Sequence, residues 1–195
     1  MEREVLLTGI GGQGVQLASR TLAVAAMAEG REVMLFGSYG GAMRGGNTDA
    51  TVIVGDGPLL SPPTVTAAWY ALGMHHAYWP EVADRLRPGG VAVIDCSVFR
   101  GDPEVPGRLV LPIEASRAAT DMGASRAASM VALGALVAAT GLVGTDALVA
   151  AASEVLPSYR ADHARSNAEA LLLGMSLIPE PVADAWDLTP VTMIH

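Results

Sequence analysis

An unbroken apolar run, Val5-Leu6-Leu7, is followed after a glycine-rich break by Val15, Ala18, Leu22, Ala25 and Ala26 at the spacing of one helical face. The pattern predicts a buried strand, a turn and a helix over 15–28. Further apolar or alternating runs predict strands at 32–36, 50–54, 65–72, 91–95 and 109–113. A helical segment at 78–86 runs into Arg87-Pro88-Gly89-Gly90, a helix stop ahead of the next strand. Strands alternating with helices predict an α/β fold, a Rossmann-like three-layer sandwich around a mostly parallel sheet. Beyond residue 113 the period changes, and three helices are predicted at 125–140, 145–156 and 162–177. Thr145-Asp146 and Asp162 are their candidate N-caps, Gly144 and Gly174 interrupt, and Pro157 is a stop. The expected organisation is one domain over 1–195: an α/β core (1–115), a helical third (116–178) and a tail (179–195) that either wraps a partner or frays.

Composition sharpens this picture by exclusion. With 51% apolar and 16% charged residues, 195 residues suffice for one full core. The net charge is −8 and every basic residue is arginine, so no basic stripe is available for a nucleic-acid backbone. Codon bias explains a lysine-free chain, as does a use for planar, bidentate anion recognition; lysine catalysis is excluded either way. Cys96 is the only cysteine, so the chain forms no internal disulfide and cannot by itself hold an iron-sulfur cluster, and a cytoplasmic setting is expected. Met1-Glu2-Arg3-Glu4 leads straight into a strand, which leaves no room for a signal peptide. The longest apolar stretch, 130–143, is shorter than the ~20 residues of a membrane span and reads as a buried helix.

Two glycine loops carry the candidate chemistry. The first, Thr8-Gly9-Ile10-Gly11-Gly12-Gln13-Gly14, stands between strand and helix, where glycines allow a tight turn and the helix N-terminus offers unpaired N–H groups. That is a cradle for a phosphate or another anion, or else a device for close helix–sheet packing. The second loop sets Arg44 among Gly41, Gly45 and Gly46, where it grips an anion or a partner's carboxylate, or is simply an exposed turn residue. Tyr39 either stacks on a ring or covers the core.

Other constellations fail a chemical test. An ordinary NAD site needs a carboxylate ~20 residues past the glycines, and Phe36-Gly37-Ser38 stands there instead. Gly55-Asp56-Gly57 opens like a thiamine-diphosphate motif but lacks the later asparagine, so it reads as a turn after a strand. His75 and His76 are adjacent rather than spaced for one helix face, and neither Ser97 nor Ser129 has a base nearby. No complete catalytic set is present.

The paired motifs Gly9-Ile10-Gly11-Gly12-Gln13-Gly14 and Ser38-Tyr39-Gly40 with Arg44-Gly45-Gly46 resemble the gamma subunit of the 2-oxoacid:ferredoxin oxidoreductases. The likeness continues through Thr51-Val52-Ile53-Val54 into Asp56, through Pro88-Gly89-Gly90 to Asp95, and into Met130-Val131-Ala132-Leu133-Gly134-Ala135. Two departures stand out: Ser129 where the family has asparagine, and Trp69-Tyr70-Ala71-Leu72-Gly73-Met74 where its fourth strand ends on an acid. The resemblance implies an oxidoreductase subunit that is inert alone. Its alpha and beta partners carry thiamine diphosphate and magnesium, and in some members a ferredoxin-like delta subunit carries iron-sulfur clusters. The complex turns a 2-oxoacid into an acyl-CoA with ferredoxin as acceptor. This chain is then expected to aid assembly and to receive coenzyme A at Gly9, Gly11, Gly12, Gln13, Gly14, Ser38, Tyr39, Gly40, Arg44, Gly45 and Gly46; alone, it is open to forming a homodimer. The alternatives are a free-standing Rossmann-like nucleotide-binding or regulatory module and a purely structural adaptor.

Overall fold

The computed structural model describes residues 1–39, 46–62, 64–156 and 158–187. The apolar run at the N-terminus forms β1 (Glu2–Ile10), followed by α1 (Val15–Ala28), β2 (Glu32–Tyr39), β3 (Asn47–Gly55) and β4 (Ala68–Gly73). A short α2 (Trp79–Asp84) leads to β5 (Leu86–Asp95) and β6 (Leu109–Ile113), after which the described chain is helical: α3 (Ala115–Asp121), α4 (Ala128–Thr140), α5 (Thr145–Glu154) and α6 (Ala164–Ser176). The six strands form one sheet in the order β2-β3-β1-β4-β5-β6. Only β3 opposes the others: it pairs antiparallel with β1 and β2, while β1–β4, β4–β5 and β5–β6 are parallel. The mostly parallel sheet and helical final third agree with the sequence.

Strand alternation divides the core in two. Val5, Leu7, Val52, Leu72 and Val93 face α1 and the later helices; Leu6, Ile53, Ala71 and Ile94 face α2 and the loops beside it. The first layer is deep and the second shallow. α4 is apolar all round and buried nearly throughout, as a central helix must be. It crosses α6 at backbone contact: a Cβ on Gly174 would lie 1.9 Å from the Val131 carbonyl oxygen, and one on Gly134 2.1 Å from that of Leu171. Gly174 therefore lies inside α6 and permits the crossing, rather than interrupting the helix.

Local details differ where pairing overrides the local signal. β5 begins at Leu86, so Arg87-Pro88-Gly89-Gly90 belongs to the strand, with Gly89 at φ 75°. α3 adds a helix that the apolar spacing did not announce. Thr145 is the first residue of α5, whose cap is Gly144, with its N–H on Glu29 Oε1 at 2.6 Å; Asp162 lies in a short 3-10 segment ahead of α6. Pro157 and residues 188–195 lie outside the described residues. The described tail packs against the end of α4. Val182 and Ala183 donate to the Ala139 carbonyl at 2.9 and 3.0 Å, and Ala185 to that of Thr140 at 2.7 Å, satisfying carbonyls at the end of α4. Trp186 donates to the Leu142 carbonyl at 3.1 Å beneath the Arg31 guanidinium, which lies 3.5 Å from the ring centroid.

Candidate functional site

The β1–α1 turn is held from within. Gln13 accepts the Ile10 N–H and donates to the Met74 carbonyl, both at 2.8 Å, and so ties the turn to the end of β4. Its amide is thus committed to the fold. Gly12 and Gly14 adopt φ of 102° and 82°, a region that favours glycine. Gly9 is required by crowding, since a Cβ there would approach Gln13, Val15 and Met74 at 2.8–3.0 Å. The Gly11 N–H donates to the Gly46 carbonyl at 2.9 Å, and that of Gln13 to Ile10 at 3.1 Å. The N–H groups of Gly12 and Gly14 make no bond to a described residue, and α1 has no side-chain cap.

The Gly11–Gly46 bond also joins the two glycine loops. Ile10 pairs with Asn47 and Tyr39 with Thr48, so the β2–β3 connection emerges beside the first turn. Gly40, Arg44 and Gly45 lie outside the described residues. Ser38 shares the face of Met34 and Phe36, opposite α1 by strand alternation. Gly37, on the α1 side, is packed by Gln16, whose amide donates to the Asp49 carbonyl at 2.7 Å.

Above the first turn opens a cavity of about 860 Å³, bounded by Gly11, Gly12 and Gly14, by α1, by the segment before α4, and by the start of α6. Arg20 and Arg126 line it, and among its described lining residues there is no carboxylate. Neither arginine is engaged in an ion pair with a described residue. Two cations beside a helix N-terminus, in a chain of net charge −8, make a local receptor for an anion. Asn167 adds polarity at the far wall: it is 6% exposed and its side chain makes no hydrogen bond to a described residue. Ser129, in contrast, is sealed in. Its hydroxyl lies 2.4 Å from where a Gly14 Cβ would stand, has no hydrogen-bond partner and is not part of the lining.

Comparison with known proteins decides the family, for residues 4–177 match the pyruvate ferredoxin/flavodoxin oxidoreductase family. The chain belongs to that family. It is 32% identical over 145 residues to the ketoisovalerate oxidoreductase subunit VorA of Methanothermobacter thermautotrophicus, covering 74% of this chain but only 30% of VorA. The 2-oxoglutarate synthase subunit KorC of Methanocaldococcus jannaschii is 29% identical over 160 residues, covering 80% of this chain and 85% of KorC. Among solved structures, the gamma subunit of a keto/oxoacid ferredoxin oxidoreductase from Geobacter sulfurreducens superposes with a TM-score of 0.76 at 28% identity, over 90% of this chain and 95% of that one. A 2-oxoglutarate:ferredoxin oxidoreductase from Magnetococcus marinus shares the fold, with a TM-score of 0.83 at 23% identity, over 98% of this chain and 33% of that one.

Elsewhere, this family member carries little reaction chemistry among the described residues. Asp56 follows β3 at the end of the sheet remote from the glycine loops and pairs with the terminal amine of Met1, so it does not suit a magnesium diphosphate held at those loops. No three His, Cys, Asp or Glu residues are grouped to hold a metal, and no helix is long and apolar enough to cross a membrane, again among the described residues. His75 and His76 stack at 4.3 Å, with His76 Nδ1 3.2 Å from the Val98 carbonyl and His75 Nδ1 accepting the Ala77 N–H at 3.2 Å. Burial, His76 and Arg100 together hold the His75 pKa below its ordinary value. Desolvation, with Glu114 and Asp95, pushes the Cys96 thiol up, which makes it a poor nucleophile.

The glycine turn is visible in the sequence, whereas Arg20, Arg126 and Asn167 stand in no motif. One signal was available: Arg20 is the only charged residue in the 15–28 helix.

Proposed function

We propose that this chain is the gamma component of a 2-oxoacid:ferredoxin oxidoreductase and that it receives the phosphate end of coenzyme A in the cavity above the β1–α1 turn. The observation that carries this reading is the pair of arginines, Arg20 and Arg126, with no ion-pair partner among the described residues, beside an uncapped helix N-terminus. The residues present fit such a group: free N–H groups at Gly12 and Gly14 suit phosphate oxygens, and guanidinium forks suit them equally. When bound, the coenzyme supplies the thiol that accepts an acyl group. The chain's own part is to bind and orient: Arg20 and Arg126 neutralise the phosphates, Gly12 and Gly14 admit them to the backbone, and Gln13 keeps the turn in register with β4.

Alpha and beta partners supply thiamine diphosphate and magnesium, and a ferredoxin-like partner or free ferredoxin takes the electrons. Reconstitution tests this division of labour. The chain alone should oxidise no 2-oxoacid, and adding it to its thiamine-binding partners should restore coenzyme A-dependent ferredoxin reduction. Turnover by the chain alone, or full activity of the partners without it, would overturn the proposal.

A further inference from the structure

We infer that Asn167 reads the base of a bound nucleotide and gives the cavity a preference for adenine; this rests on the coenzyme A reading above. Asn167 is 94% buried, as its 6% exposure shows, and lines the cavity from α6. Neither end of its amide meets a hydrogen-bonding group of a described residue, although a buried amide without a partner costs free energy. It differs in this from Ser129, which is also unpartnered but closed off behind Gly14. The unused amide faces the cavity.

The surroundings divide the cavity into two chemistries. Arg20, Arg126 and the start of α1 offer positive charge, while Val155 and Leu156 add apolar surface. Phosphates belong at the first and a flat ring against the second. An asparagine amide sets one donor beside one acceptor, and the adenine edge offers the complementary donor at N6 and acceptor at N7. Guanine presents two acceptors along that edge, O6 and N7, which leaves the Asn167 carbonyl opposed by another oxygen. Asn167 is therefore a specificity-determining residue: it chooses the base, and the arginines hold the phosphates.

Calorimetric titration of the full chain separates these roles, with inorganic pyrophosphate, adenosine 3′,5′-bisphosphate and guanosine 3′,5′-bisphosphate as probes. The wild-type chain should bind the adenosine probe about tenfold more tightly than the guanosine probe, the worth of one matched pair. In Asn167→Leu and the smaller Asn167→Ala this preference should fall to within twofold, with pyrophosphate binding unchanged in both as a check that the cavity is intact. Equal binding of both nucleotides by the wild type, or a preference that survives both substitutions, overturns the base-reading role alone. Absence of pyrophosphate and nucleotide binding by the wild type overturns the phosphate reading with it.

Discussion

Gly14 and Ser129 show how single residues set the site. Gly14 turns the chain into α1 with a left-handed backbone and leaves room only for the Ser129 hydroxyl, which finds no partner there. An unsatisfied buried hydroxyl costs stability, so Ser129→Ala should leave the fold unchanged and raise stability by up to about 1 kcal/mol. Chemical denaturation measures this, and a loss of stability would show that the hydroxyl is satisfied after all. At this scale the sequence was only partly legible. Glycines at 12 and 14 announce a turn because few other residues tolerate such backbones, whereas the bonds of Gln13 to Ile10 and Met74 carry no signal in the sequence. Arg126 and Asn167 carry no local signal, since what makes them notable is a cavity assembled from remote segments.

Elements were legible where their signal is local. The helix over 15–28 and the strand over 109–113 coincide with α1 and β6, because apolar spacing alone specifies them. β1, β3 and β5 run longer than their apolar cores: pairing between β1 and β3 enrols Glu2 and Asn47, and Arg87 falls in the irregular stretch of β5 between the Ala68–Leu86 and Tyr70–Val91 pairs, none of which periodicity marks as strand. α3 escaped because only Ala115 and Ala119 are buried on it. The crossing of α4 and α6 yields a prediction proper to this scale. Gly174→Ala gains about 1 kcal/mol of helix propensity but forces a methyl against the Val131 carbonyl, and overpacking of that kind costs about 3 kcal/mol. A net loss of roughly 2 kcal/mol in denaturant titration is expected, because packing outweighs propensity here. A stabilised variant would mean that the helices separate without penalty.

For the molecule as a whole, the sheet places both glycine loops at one end and the Asp56 turn at the other, so the anion receptor and the thiamine-like triplet cannot form one site. One face of the sheet carries five helices and the other chiefly α2, leaving Phe36 on β2 39% exposed. The electropositive cavity within this acidic chain is the receptor proposed for the coenzyme. Its most direct test is the Michaelis constant for coenzyme A in the reconstituted complex bearing Arg20→Ala and Arg126→Ala together. Each charge-assisted contact is worth about 1.5 kcal/mol or more, so the pair should raise that constant roughly a hundredfold, with kcat and the constant for the 2-oxoacid little changed. A constant equal to that of the wild-type complex would contradict the account.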